Sequence, residues 1–451
     1  MELALSLHGV RDKNQTGKNR SMKDIRIKIN QFGPLRDVEL KMSPLTILTG
    51  ESSLGKSYAN YLFYYFISSF SIYNTKDYDA ILPCLRYDGE KKKSLRITRS
   101  DIEDWLNKGA TPFMQQFLGC MSIVCDVEFE LSWLPEVISY QYEIYSITDK
   151  LKNLDPNVKY ADNMSYAFNG KHKRDMSATP TKLMPCLAFQ QSMKEDFAGY
   201  EYLFPKILPP GRCTLIGQNF SLTQAVVSSM GMYDDFIRQM ESATRRSLAP
   251  NKHDEIEQII SGILGGTLTT RSGEAYLELK GGENLELRAA ASSIKEISPL
   301  IYHYLNMSGQ HFSFCFDEPE AHLHPQMQSR VADFVAAYFN KGSLFQITTH
   351  SDYFLSRINQ LIKLGEIRKK DETRAETLCQ ELKIPSSAIL DKNDVGAYYF
   401  ERKDDGGVSV RQLEVTGFGI PFATFYDTIS TDRDNDDEIS TAYYELNCDE
   451  E

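Results

Sequence analysis

Gly50-Glu-Ser-Ser-Leu-Gly55-Lys56-Ser57 is the stretch on which the reading of this chain turns. It satisfies the pattern G-x-x-x-x-G-K-[ST], in which glycines let backbone N–H groups turn inward around phosphate oxygens. Its flanks agree. The apolar Leu45-Thr-Ile-Leu48 reads as a buried strand running into Gly50, and the aromatic run Tyr58 to Tyr73 reads as the following helix. A helix N-terminus adds its partial positive charge to such a loop. Gly50, Ser53, Gly55 and Lys56 are therefore assigned to holding a nucleotide, with Lys56 bridging the β- and γ-phosphates. Ser57 supplies an oxygen to Mg²⁺, and the expected cofactors are ATP and Mg²⁺.

Upstream of the loop, Ile25-Arg-Ile-Lys-Ile29 alternates as a half-buried strand, Gly33-Pro34 marks a turn, and Val38–Leu40 is a second short strand. Residues 1–21, with RDKNQTGKNRS near their end, read as a mobile arm. Downstream, residues 286–390 alternate strand and helix as a parallel α/β sheet does. A helix over about 293–306 leads to the strand Phe312–Phe316, and a second helix, Pro325–Tyr338, leads to the strand Leu344–Thr348. Residues 22–80 and 286–390 thus form two parts of one core. Residues 81–285 read as an inserted, mainly helical lobe, and residues 391–451 as C-terminal strands (Ala397–Glu401, Val408–Leu413) with an acidic tail. The fold class expected is α/β.

The strand Phe312–Phe316 ends in Asp317-Glu318-Pro319-Glu320. A carboxylate at the C-terminal end of a buried parallel strand lies beside the phosphate loop, where Mg²⁺ must be held. Asp317 is assigned to the metal and Glu318 to polarising the attacking water as general base. His350, just after the next strand, is assigned to the γ-phosphate or the water.

Composition limits the partners. The chain has 451 residues, 41% hydrophobic and 25% charged, with a formal charge of -12 from 50 Lys plus Arg and 62 Asp plus Glu. This is the make-up of a globular protein, and its acidity argues against a DNA-coating surface, though not against a local basic groove. The eight cysteines form no CxxC pair, which speaks against zinc ribbons and thioredoxin chemistry. With no signal sequence and no membrane span in the reading, the expected location is the cytoplasm.

The phosphate loop, Asp317-Glu-Pro-Glu-Ala-His-Leu-His-Pro325 and Thr348-Thr-His-Ser351 together resemble the ABC-type P-loop ATPase heads, most of all the branch with OLD-family and SMC-like proteins. The resemblance covers about 22–75 and 285–362. It implies a head with N-terminal antiparallel strands that dimerises around ATP, so the chain is expected to be at least a homodimer. It also implies a signature helix touching the partner's nucleotide, here Ala291-Ser292-Ser293-Ile294, with Ser292 and Ser293 toward the γ-phosphate. Relatives often carry glycine where this chain has Ile294, which puts tight closure and turnover in question. Gln190 or Gln191 matches a water-sensing glutamine loosely. Leu208-Pro-Pro-Gly-Arg212 resembles a P-A-x-R segment whose arginine either reaches phosphate or anchors a loop. His322 and His324 occupy the segment that related heads turn toward the opposite subunit, and a zinc ion there is a remote alternative.

Three functions compete. The first is an ATPase that acts as sensor or scaffold subunit of a two-component anti-phage defence system, as in Septu or PARIS, controlling a separate nuclease or toxin effector. No nuclease signature stands in the sequence; Asp432-Arg-Asp434 has the letters of a D-x-D but too little chain after it. The second is a repair or recombination ATPase that clamps duplex DNA, for which Lys91–Lys93, Lys171–Arg174 and Arg245-Arg246 would have to form a basic strip. The third, a transporter subunit, fits least. The first is preferred.

Overall fold

The computed structural model describes residues 22–70, 89–146, 162–168, 172–176, 189–190, 192–195, 199, 203–217, 231–244, 255–271, 274–306, 311–421 and 433–443. Its centre is a six-stranded sheet. In chain order the strands are β1 (Ile25–Phe32), β2 (Leu35–Met42), β3 (Leu45–Gly50), β4 (Lys92–Thr98), β5 (Cys125–Glu130), β6 (Val137–Ser146), β7 (Asp162–Phe168), β8 (His172–Met176) and β9 (Leu203–Leu208). They continue as β10 (Gly266–Arg271), β11 (Glu274–Leu279), β12 (Asn284–Glu286), β13 (His311–Asp317), β14 (Leu344–Thr348), β15 (Val395–Arg402) and β16 (Val408–Leu413). The helices are α1 (Lys56–Ser69), α2 (Arg99–Leu118), α3 (Arg212–Gly217), α4 (Gly231–Thr244), α5 (Glu255–Leu264), α6 (Ser292–Leu305), α7 (Pro325–Asn340), α8 (Asp352–Lys370) and α9 (Glu372–Leu382).

The central order is β16-β15-β3-β14-β13-β9. Every neighbouring pair from β15 to β9 is parallel, and β16 closes the far edge antiparallel to β15. Strand alternation explains the layering. On β13, Phe312, Phe314 and Phe316 share one face, where Phe314 meets Tyr338 of α7 and His303 of α6. The opposite face carries Cys315 and Asp317, both bonded to α1. With helices on both faces, the strand is buried from Phe312 through Asp317, which is why it reads as a continuous apolar run.

Helix α1 is buried nearly all round, and its residues explain the burial. Tyr64 stacks on Phe117 of α2, Phe66 stacks on Phe129 of β5, and Phe70 meets Trp105 of α2 edge-on. Helix α2 is fixed at both ends, by a Thr98–Asp101 capping box and by left-handed Gly119.

The region 81–285 is mixed rather than mainly helical. Strand β5 pairs with β1 to complete a β2-β1-β5 sheet, and β9 is the edge of the central sheet, so both belong to the core layers. Strand β6 alternates buried Ile138, Tyr140, Tyr142 and Ile144 with exposed neighbours, a half-buried strand pattern. The polar stretch around 148–175 contributes β7, which pairs with β6, and β8, which pairs with β7. The helical run expected from residue 222 is described from Gly231 to Thr244, and its earlier part lies outside the described residues.

Helices α7 and α8 are joined by a bidentate pair, Arg357 Nε to Asp333 Oδ1 at 2.7 Å and Nη2 to Oδ2 at 2.9 Å. Burial pushes the Asp333 carboxyl up, and the guanidinium opposes that shift. Arg357→Met leaves Asp333 without its charge partner and is expected to cost about 3–5 kcal/mol in denaturant unfolding. Adding Asp333→Leu should recover much of that loss; a single variant as stable as the parent would refute the account.

Candidate functional site

The loop between β3 and α1 is built by close approach. Gly50 has φ 120°, and a Cβ there would lie 2.1 Å from the carbonyl oxygen of Phe400 on β15. Gly55 caps α1 with φ 91°, and its Cβ would lie 2.9 Å from Pro34 Cγ in the turn between β1 and β2. Neither position admits a side chain without moving a neighbour. Ser53 also has positive φ, at 64°. These backbone reversals form a concave cradle ahead of the α1 N-terminus, where no acidic side chain occupies the first turn.

Lys56 folds back into that cradle. Its Nζ donates to the Gly50 carbonyl at 3.2 Å and also to the Glu51 carbonyl. Burial pulls the ammonium down to about 8, against the carboxylates of Glu318, Glu320, Glu51 and Asp317. A cation resting on loop carbonyls is poised to exchange them for phosphate oxygens.

Asp317 ends β13 and is fully buried. Its Oδ1 accepts from Thr348 Oγ1 at 2.7 Å and from Asn60 Nδ2 at 3.3 Å, and its Oδ2 accepts from the Tyr61 hydroxyl at 2.8 Å. Burial pushes the carboxyl up, and the three donors pull it back. Ser57 lies on α1 one turn before Asn60 and Tyr61, hence on the face that holds Asp317. Both carboxylate oxygens already have partners, so a cation would meet this aspartate only through water or after release of one donor.

Glu318 stands apart from this cage. Its backbone has φ 46°, its N–H donates to the Thr348 carbonyl at 3.0 Å, and its own carbonyl accepts from Arg212 at 3.2 Å. The residue is exposed. A rigid main chain thus carries a solvent-facing carboxylate. His350 follows β14 and is half-buried; its ring lies against the Gly50 carbonyl, and both burial and the Lys56 charge push it below its ordinary value. Its backbone N–H donates to Glu320 Oε1 at 2.6 Å. The fourth residue of Asp-Glu-Pro-Glu is therefore a support for His350, a role absent from the sequence reading although the motif contains it.

Arg212 takes the anchoring role. It is fully buried, with Nε donating to the Glu296 carbonyl at 2.8 Å and pairing with Glu296 Oε2 at 2.9 Å. Nη1 donates to the carbonyls of Pro209 at 3.1 Å and Asp317 at 2.7 Å. With Nη2 donating to the Glu318 carbonyl as well, four of the five N–H groups are engaged within the protein and the side chain is fully buried, which favours the anchoring alternative.

Gly50, Gly55, Lys56, Asp317 and His350 are brought together at the C-terminal end of the parallel strands. Ser292 and Ser293 are not among them. They open α6 behind Ala291, which is the N-cap and provides no side-chain cap, so neither serine is the cap. Gln190 is buried away from solvent, and Gln191 lies outside the described residues. Across β4, β6, β7 and β8 the register places Lys92 in line with Glu143, Ser165 and Asp175, and Lys93 in line with Tyr142, Tyr166 and Arg174, while Lys171 lies outside the described residues. Arg245 and Arg246 lie outside the described residues, as does Asp432. No described helix is long and apolar enough to cross a membrane.

Residues 231–355 match the family described as AAA ATPase domain. That stretch contains Asp317, Glu318 and His350, but not residues 50–57. No curated protein matches the chain. Among solved structures, an SMC head bound to the C-winged helix domain of ScpA is similar at 14% identity and TM-score 0.37, covering 87% of this chain and 98% of that one. An SMC head with an extended coiled coil, bound to the C-terminal domain of ScpA from Pyrococcus furiosus, gives 12% and 0.34 over 87% and 96%. The SMC head of Thermotoga maritima gives 11% and 0.30 over 87% and 100%.

The depressed Lys56 ammonium sets a sign for pH. Above about 8 the free protein loses this proton, and binding a phosphate must restore it. Nucleotide affinity, measured by titration calorimetry, is expected to fall by up to about tenfold per pH unit above that point. Meanwhile the stability of the free protein should rise between about 8 and the ordinary lysine range, because the unfolded state keeps the proton longer. An affinity flat to pH 10 would show that Lys56 is not buried as described.

Proposed function

We propose that this chain binds ATP with Mg²⁺ at residues 50–57 and 317–318 and hydrolyses it. The observation that carries the reading is Lys56 bonded to loop carbonyls in a glycine-built cradle, with Asp317, Glu318 and His350 at its rim. The residues fit the group: the cradle has no room for side chains at Gly50 and Gly55, and the buried Lys56 ammonium is hydrogen-bonded to loop carbonyls. Mg²⁺ supplies charge neutralisation between the terminal phosphates when bound. Lys56 would exchange the Gly50 and Glu51 carbonyls for phosphate oxygens. The Ser57 hydroxyl and Asp317, the latter locked by Thr348, Asn60 and Tyr61, would hold the metal. Glu318 accepts the proton of the attacking water, and neutral His350 orients that water or the terminal phosphate.

The same reading includes at least a homodimer, with Ser292 and Ser293 of one copy reaching the nucleotide of the other. At the cellular level it makes the chain a sensor or scaffold of a two-component anti-phage system holding a separate nuclease or toxin effector. The Asp-Glu-Pro-Glu-Ala-His-Leu-His-Pro wording and the charge of -12, which suits protein more than DNA partners, support that role.

Purified protein is to be assayed for ATP binding and phosphate release. Lys56→Ala should abolish binding, and Glu318→Gln should keep binding while lowering turnover by at least about 100-fold. Undiminished ATP binding in the Lys56 variant would defeat the site assignment. Co-purification with the neighbouring gene product, followed by mass photometry, tests the scaffold role: an ATP-dependent dimer that retains duplex DNA and no protein partner would favour the DNA-clamp function instead.

A further inference from the structure

Behind the nucleotide site, three ligand-type side chains from distant parts of the chain converge. Cys213 Sγ on α3, a Glu296 carboxylate oxygen on α6 and a His322 ring nitrogen after β13 all lie within 4.8 Å of one another. We propose that Cys213, Glu296 and His322 form a binding site for a zinc-like divalent cation, separate from the magnesium of the nucleotide reading.

The donor set is one thiol, one imidazole and one carboxylate, which suits a borderline-soft ion such as Zn²⁺ and not the all-oxygen preference of Mg²⁺ or Ca²⁺. His322 Nε2 and Glu296 Oε1 are 3.8 Å apart, which a shift of about 0.5 Å would bring to the edge of a tetrahedron with bonds near 2 Å. The sulfur lies within 4.8 Å of both, with Thr214 Oγ1 beside it at 3.9 Å.

The surroundings prepare the carboxylate for this use. Arg212 holds Glu296 Oε2 at 2.9 Å, leaving Oε1 facing the Cys213 backbone N–H at 3.4 Å and the His322 ring. A ligand whose second oxygen is fixed by a buried guanidinium is oriented as metal ligands commonly are by their outer partners. Two of the three ligands are buried, while His322 is more than half exposed, so an ion enters from solvent past a movable imidazole. Burial and the Glu296 charge push the Cys213 thiol up; binding therefore releases one proton to solvent as the metal–sulfur bond forms. With three protein ligands, a fourth position stays open for water. An ion there ties α3, the first turns of α6 and the turn after Glu318 into one unit.

The test uses full-length protein stripped with chelator and titrated with Co²⁺, a spectroscopic stand-in, then with Zn²⁺ in competition against a chromophoric chelator. Expected are about one equivalent bound per chain, a cobalt–thiolate charge-transfer band, and displacement of cobalt by Zn²⁺. Cys213→Ser should remove that band. His322→Ala, at an exposed position that leaves the core intact, should weaken Zn²⁺ by at least about tenfold. Cys120→Ser, altering the exposed cysteine, should change neither. Absence of stoichiometric binding, or a band and affinity that survive both Cys213→Ser and His322→Ala, overturns the site.

Discussion

The guanidinium of Arg212 is the constraint on which the geometry of the site depends. It is a charge placed out of water, a cost that only good pairing offsets. The pairing is nearly complete: the Glu296 carboxylate, four backbone carbonyls and the face of Phe316 at 4.7 Å surround it. Those carbonyls belong to the segment after β9, the end of β13, its acidic turn and α6. One side chain therefore fixes the mutual positions of elements far apart in sequence. The carbonyls of Asp317 and Glu318 are both in its grip, so the strand end cannot drift relative to α6.

That grip explains how adjacent carboxylates take different tasks. Asp317 points into the sheet–helix interface, where Thr348, Asn60 and Tyr61 saturate it. Glu318 turns through the left-handed region, pinned at its N–H by Thr348 and at its carbonyl by Arg212, and its carboxylate reaches solvent. Holding a non-glycine residue in that region costs on the order of 1 kcal/mol or more, which the flanking hydrogen bonds offset. Glu320 then turns back to His350, closing a path from Gly50 through His350 to the acidic turn. The phosphate loop and the acidic turn are thereby one hydrogen-bonded assembly, with Lys56 at its centre.

Residues 50–57 and 317–350 were legible in the sequence because their chemistry is local: a loop that needs glycine, a strand that must be apolar on both faces, a carboxylate at its end. The strands of 81–285 were harder because their signal is relational. Strand β7 sits in a polar stretch, and its pairing with β6 and β8 makes it a strand. Strand β9, Leu203-Phe-Pro-Lys-Ile-Leu208, contains a proline that suits an edge strand, which is where it lies. Arg212 could be singled out but not assigned, since its partners sit at positions 209, 296, 317 and 318. Cys213, Glu296 and His322 gave no joint signal, as nothing in spacing brings together residues so far apart. His322 was visible as a histidine of interest but lacked companions until the fold supplied them.

Ile294 holds the start of α6 in place. Its side chain packs against the core, and its N–H bonds back to the Ala291 carbonyl, so it serves the first turn of α6. Ser292 and Ser293 precede it at the opening of the helix, with no acidic residue in that turn to neutralise its positive end. One turn further, Glu296 is locked to Arg212, and Arg212 to Asp317. The serines thus stand at a fixed distance from the strand end that bears Asp317. What a glycine would add is closer backbone approach at one residue; what isoleucine adds is apolar packing that keeps the helix start in place.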